Sequence, residues 1–113
     1  MKYILVLSAL VPTIALANPR CLAQLERTDG KRIDERTLTA GPGHAGGRKW
    51  EGEIGDGFFS VTHNAAEDDY LLLISRGPVY QDGLAVRGGF NARGELRASL
   101  VTPEQTFRIV CIR

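Results

Sequence analysis

Residues 41–47 read Gly-Pro-Gly-His-Ala-Gly-Gly, and the first six match the dinucleotide-binding pattern G-x-G-x-x-G letter for letter. That pattern works because its glycines let the backbone approach a pyrophosphate whose charge rests on the N-terminus of the following helix. It needs a strand before it, a helix after it and an acidic residue about twenty positions on. Here the loop runs into Arg48-Lys49-Trp50-Glu51, where charged and apolar residues begin to alternate as in a strand. Without the helix no set of N–H groups is aimed at a phosphate, and no Gly-Lys-Ser/Thr follows to make a Walker-type loop. The segment reads instead as the longest flexible connection of the chain. It carries His44 and ends in Arg48 and Lys49, three side chains placed to contact a partner.

Other reactive residue types are weaker candidates. Glu51 and Glu53 stand two apart on one strand face, the residue types of a glycosidase carboxylate pair, but nothing indicates a cleft around them. Ser60, Ser75 and Ser99 lack the G-x-S-x-G elbow that presents a nucleophile. The run His63-Asn64-Ala65-Ala66-Glu67-Asp68-Asp69 is rich in oxygen ligands but lacks the alternating spacing and central glycine of a calcium loop, and reads as a polar turn. His44 and His63 bring no third or fourth ligand for zinc. A binding protein is therefore expected, with no catalytic residues, no cofactor and no metal.

The stretch Ser75-Arg76-Gly77-Pro78-Val79-Tyr80-Gln81-Asp82-Gly83 has the chemistry of a turn, with glycines, a proline and one aromatic anchor. It resembles the S-G-x-x-Y-x-x-G segment of the bacterial periplasmic C-type lysozyme inhibitors, with Arg76 standing between the serine and the glycine. That family comprises small exported eight-stranded barrels with a disulfide near the chain ends, whose loops block the lysozyme active-site cleft. The resemblance implies that Ser75, Gly77, Tyr80 and Gly83 lie in a partner-binding segment and that the partner is a lysozyme. Ala85-Val86 stand where the family has an aromatic pair.

Residues this sparse in chemistry must be positioned by a small scaffold. Met1-Lys2, the apolar run Tyr3 to Val11 broken only by Ser8, Pro12 and the small residues of Ala15-Leu16-Ala17 make residues 1–17 a secretory signal cleaved before Asn18. Residues 18–113 then form one domain, periplasmic or extracellular, with no later segment long enough to span a bilayer. Without Lys2 the chain carries thirteen basic and thirteen acidic side chains, a balance that argues against a nucleic-acid partner. The charges are unevenly placed: residues 49–75 hold one lysine against six carboxylates, and residues 76–113 hold six arginines against three. The two cysteines, Cys21 and Cys111, are read as one disulfide in an oxidising compartment; free thiols or a redox couple are the alternatives, but there is no C-x-x-C spacing.

Period-two alternation marks about eight short strands: 21–27, 32–39, 49–54, 58–62, 70–75, 84–90, 95–100 and 106–111. Asp29-Gly30 and Asn91-Ala92-Arg93-Gly94 supply hairpin turns between them. An all-β antiparallel meander of this kind closes into a small barrel, with a two-sheet β-sandwich as the alternative. In a closed meander the first and last strands meet antiparallel, which brings Cys21 and Cys111 to one end and lets their disulfide tie the seam. Trp50, Phe59, Leu72, Phe90 and Phe107 are expected to fill the interior. The expected function is an exported binding module, an inhibitor of a lysozyme by resemblance. A carrier of small apolar ligands and a secreted structural domain are the alternatives, and hydrolysis through Glu51 and Glu53 is a third.

Overall fold

The computed structural model describes residues 19–43, 46–77 and 82–113, so the segment expected to be a secretory signal, His44 and Tyr80 lie outside the described residues. Among the described residues nine strands are formed: β1 (Arg20–Arg27), β2 (Arg32–Thr37), β3 (Thr39–Pro42), β4 (Arg48–Ile54), β5 (Gly57–Asn64), β6 (Asp69–Arg76), β7 (Asp82–Gly88), β8 (Glu95–Val101) and β9 (Gln105–Ile112). All pairings are antiparallel, and they make a four-stranded sheet in the order β2-β1-β9-β8 and a five-stranded sheet in the order β3-β4-β5-β6-β7.

Alternation decides which side chains enter the core. Along β4, Trp50 and Ile54 are buried while Glu51 and Glu53 are exposed. On β5 and β6, Phe59, Val61, Leu72 and Ile74 turn inward, and they meet Ala23, Phe107 and Ile109 of the opposite sheet in one core. The rings of Phe59 and Phe107 lie 6.3 Å apart between the sheets. Phe107 reaches that position because Gly57 has no side chain: a Cβ there would stand 2.8 Å from the Phe107 ring. Gly52 serves Leu38 in the same way, at 2.8 Å.

The disulfide expected from sequence is formed, between directly opposed residues of the first and last strands. The Cys21 carbonyl accepts the Leu38 N–H on the β2 side, at 2.8 Å, and so is turned away from β9. Cys21 and Cys111 are therefore a pair without mutual backbone hydrogen bonds, the kind in which Cα atoms approach most closely; theirs are 4.0 Å apart. Both sulfurs sit in the core rather than on the surface.

Two expectations need correction. The barrel is not closed. Strands keep the cyclic order of a meander, but the ring opens between β2 and β3 and again between β7 and β8, leaving a sandwich-like pair of sheets. At the first opening the single strand expected over 32–39 divides at Leu38, which is buried and bends the chain from one sheet to the other. At the second, the chain leaves β7 through Gly88-Gly89, and Phe90 packs edge-on against Tyr70 with ring centroids 5.1 Å apart. Asn91 to Glu95 then form a turn, with the Gly94 N–H donating to the Asn91 carbonyl, but it joins two sheets and not a hairpin.

The glycine-rich segment is the second correction. Gly41 and Pro42 belong to β3 and pair with Lys49 and Arg48, and just beyond them the Gly43 N–H donates to the Gly47 carbonyl at 3.0 Å. A Cβ on Gly43 would meet the Arg48 backbone at 3.0 Å, and Gly46 has φ of 83°. These glycines satisfy a tight hairpin at the edge of a sheet, where a strand proline is also tolerated.

Opening the disulfide, by reduction or in the Cys21→Ser/Cys111→Ser variant, is expected to lower the unfolding free energy by about 4 kcal/mol through the denatured chain it no longer restrains. Urea denaturation with and without reductant measures this, and an unchanged midpoint would show that the link contributes nothing. The Gly57→Ala variant is expected to lose roughly 1–3 kcal/mol, because the added methyl displaces the Phe107 ring.

Candidate functional site

Inward residues leave their neighbours to form the outer face of the five-stranded sheet. Cross-strand register aligns three rows there: Lys49–Thr62–Leu71–Arg87, Glu51–Ser60–Leu73–Ala85 and Glu53–Phe58–Ser75–Gly83. Because Phe59 faces the core, Phe58 must face out; because Leu72 and Ile74 face in, Leu71, Leu73 and Ser75 must face out. Phe58, Leu71 and Leu73 remain half-buried. Glu53, Phe58, Leu73 and Ser75 line an open recess of about 380 Å³.

This face contains part of the segment nominated from sequence. Ser75 and Gly83 are directly opposed on β6 and β7. A Cβ at Gly83 would press on the Ile74 carbonyl at 3.2 Å and reach the Ser75 hydroxyl at 4.0 Å, so glycine keeps that end of the row open. Gly77 is tied down by its N–H to the Asp56 carbonyl at 2.7 Å, and Arg76 bridges Asp56 and Glu104, both at 3.6 Å. That bridge joins the end of the recess to the β8–β9 turn of the other sheet. Arg48 and Lys49, by contrast, lie at the far end of β4, and Lys49 is paired with Glu51 at 3.2 Å. The structure does not bring them together with Ser75, Gly77 and Gly83.

Charge follows the division into sheets. Residues 39–88, which build the five-stranded sheet, hold seven carboxylates against four basic side chains. The rest of the domain, 19–38 and 89–113, holds nine basic side chains against six carboxylates. On the acidic sheet Glu53 is exceptional: among the described side chains it is the one carboxylate with no ion-pair partner.

The remaining polar candidates have structural partners. His63 meets Asp68 at 3.0 Å, where Asp68 takes a left-handed φ of 52° in the β5–β6 turn, and its ring stacks on Tyr70 at 4.6 Å. Arg87 holds Glu67 and Asp69 in the same turn, and Ser99 accepts from Arg108. Among the described residues no group of three or more His, Cys, Asp or Glu is arranged to hold a metal ion. A second hollow, about 250 Å³ on the outer face of the four-stranded sheet, is lined by Arg20, Leu22, Ile112 and Arg113. Its Arg113 is already engaged, lying 4.5 Å over the Phe90 ring.

Comparison with known proteins finds no matching family model, no matching curated protein and no matching solved structure. The disulfide in so small a domain fits an oxidising compartment, and no helix among the described residues is long and apolar enough to cross a membrane.

Sequence reasoning nominated Glu53 only as half of a hydrolytic pair and passed over Phe58 and Leu73. A signal was present: the unbroken run Leu71-Leu72-Leu73-Ile74 and the doublet Phe58-Phe59 place apolar residues on both faces of their strands, more than one core can absorb.

Burial pushes the Tyr70 phenol above its ordinary value, and the hydrogen bond and positive charge of Arg113 only partly oppose it. A folded-state pKa raised this way favours the fold below the unfolded value of about 10, and the contribution is lost as pH rises past it. Ultraviolet titration is therefore expected to show a late-ionising tyrosine that disappears in Tyr70→Phe. A Tyr70 that ionises at the ordinary pH would contradict the burial of its hydroxyl.

Proposed function

We propose that this protein is an exported, disulfide-stabilised binding module that docks the outer face of its five-stranded sheet on a protein partner, without catalysing a reaction on it. The observation that carries this reading is the half-buried apolar set Phe58, Leu71 and Leu73, bordered by Glu51 and Glu53 on a sheet with excess negative charge. An apolar centre with a charged rim is the anatomy of a protein interface. Its charge suits a basic partner, because complementary fields steer encounter and suppress wrong partners. A C-type lysozyme is the specific partner we propose, on the strength of the Ser75–Gly83 segment, whose two ends border the recess.

The alternatives draw less support. Carriage of an apolar ligand calls for a hollow interior, whereas Phe59, Phe107, Leu72 and Ile109 are packed between the sheets with almost no exposure. Hydrolysis through Glu51 and Glu53 calls for two carboxylates flanking a bound substrate; Glu51 is occupied by Lys49, and both stand on an open strand surface.

The test is a lysozyme lysis assay together with co-elution of the two proteins. Inhibition at near-stoichiometric concentration is expected. Leu73→Lys, on the exposed face, is expected to weaken it by at least about tenfold while leaving the urea midpoint nearly unchanged, since it sets a like charge against a basic partner. Absence of both inhibition and complex with C-type lysozymes would remove the lysozyme reading.

A further inference from the structure

We propose that the recess between Glu53, Phe58, Leu73 and Ser75 is a subsite for one arginine side chain of a partner protein. The proposal rests on the docking role assigned to this face and specifies what enters it.

Four observations converge. Glu53 is exposed, and no described cation neutralises it, although its neighbour Glu51 has Lys49 and Asp56 of the adjoining β4–β5 turn has Arg76. The Phe58 ring lies directly across the strand pair from Glu53 and is only half covered. Ser75 stands next in the same row, with no hydrogen bond from its hydroxyl among the described residues. Beyond Ser75 the row ends at Gly83, which adds no side chain to block the recess from the β7 edge.

A single carboxylate, a ring face, an aliphatic wall and a free hydroxyl select one kind of occupant. An anion is repelled by Glu53, and a metal ion finds one carboxylate where it needs several ligands. A long cationic side chain matches all four groups. Its stem covers Leu73 as long cations cover apolar surface. Its head lies over Phe58, where the ring quadrupole attracts it, while reaching Glu53. Arginine is preferred to lysine because a planar guanidinium stacks on the ring and donates two parallel hydrogen bonds to a carboxylate at once, leaving another N–H for the Ser75 hydroxyl.

The test titrates isotope-labelled protein with N-acetyl-arginine methylamide and with the citrulline analogue, which keeps the length and planarity but loses the charge. Amide shifts are followed at Glu53, Phe58 and Ser75. Saturable shifts are expected with arginine, and affinity roughly tenfold or more weaker with citrulline, the scale of one charge-assisted bidentate contact. The same loss is expected in Glu53→Gln, and a several-fold loss in Phe58→Leu, which keeps the carboxylate and removes the ring. Equal responses to arginine and citrulline, or full affinity in Glu53→Gln, would overturn the subsite. If arginine fails to bind while a lysozyme complex forms and Leu73→Lys breaks it, the subsite is wrong and the docking face stands. If Glu53-dependent arginine binding is found without any lysozyme complex, the subsite stands and the lysozyme reading falls.

Discussion

Phe107 needs a place where nothing projects from the opposite sheet, and Gly57 provides it. The ring enters that gap and tilts against Phe59 at 42°. Much of the molecule follows from this contact. Once Phe59 is committed to the interior, the pleat of β5 sends Phe58 to solvent. Register then carries the same parity across to β4 and β6, where Glu53 and Ser75 fall beside it. The candidate binding face is thus the complement of the core: the residues that packing excluded, held in line by the residues that it took. A substitution that slipped β5 by one residue would invert both surfaces together.

Local pattern exposed most of this scaffold. Seven of the eight expected strands are formed within a few residues of their expected bounds, the one over 32–39 is divided, and Cys21 and Cys111 meet as antiparallel pairing of first on last requires. The misses share a physical cause, dependence on groups distant in sequence. Thr37-Leu38-Thr39 alternates like any strand, and its bend is set by the Cys21 carbonyl and by the space above Gly52. Whether β7 and β8 join depends on the alignment of two edges that their own residues do not encode; the placing of Phe90 against Tyr70 was invisible in the alternation around it. For the glycine-rich loop the letters matched a phosphate motif, while the backbone uses them to pass close to Arg48. Of the candidate site, Ser75 and Gly83 were found from their segment. That Glu53 lacks an ion-pair partner among the described residues is a property of three-dimensional neighbours, which no spacing reveals.

The two ends of the fold are built differently. One is closed by aromatic stacking, with Trp50, His63 and Phe90 around Tyr70 and the Arg113 guanidinium over the Phe90 ring. Burial at that end keeps the Tyr70 phenol neutral and raises its pKa. The other end carries the β4–β5 and β8–β9 turns, clasped by Arg76 between Asp56 and Glu104. Surface ion pairs of this kind contribute little stability singly; here the pairs hold in register the strand ends that border the recess. The edge strand β2, four of whose six residues are charged, discourages a further chain from pairing with that edge of the other sheet.

The disulfide has a consequence for how the domain can be presented. Cys21 and Cys111 bring the start of β1 and the end of β9 together at the aromatic end, away from the recess, so chain added before Arg20 or after Ile112 departs from the same place. A tether on either side, whether to a bead, a carrier or a surface, therefore holds the domain by its back. The Glu53 recess is left pointing outward, and a pull on both tethers together is borne by the covalent link without unzipping the sheets.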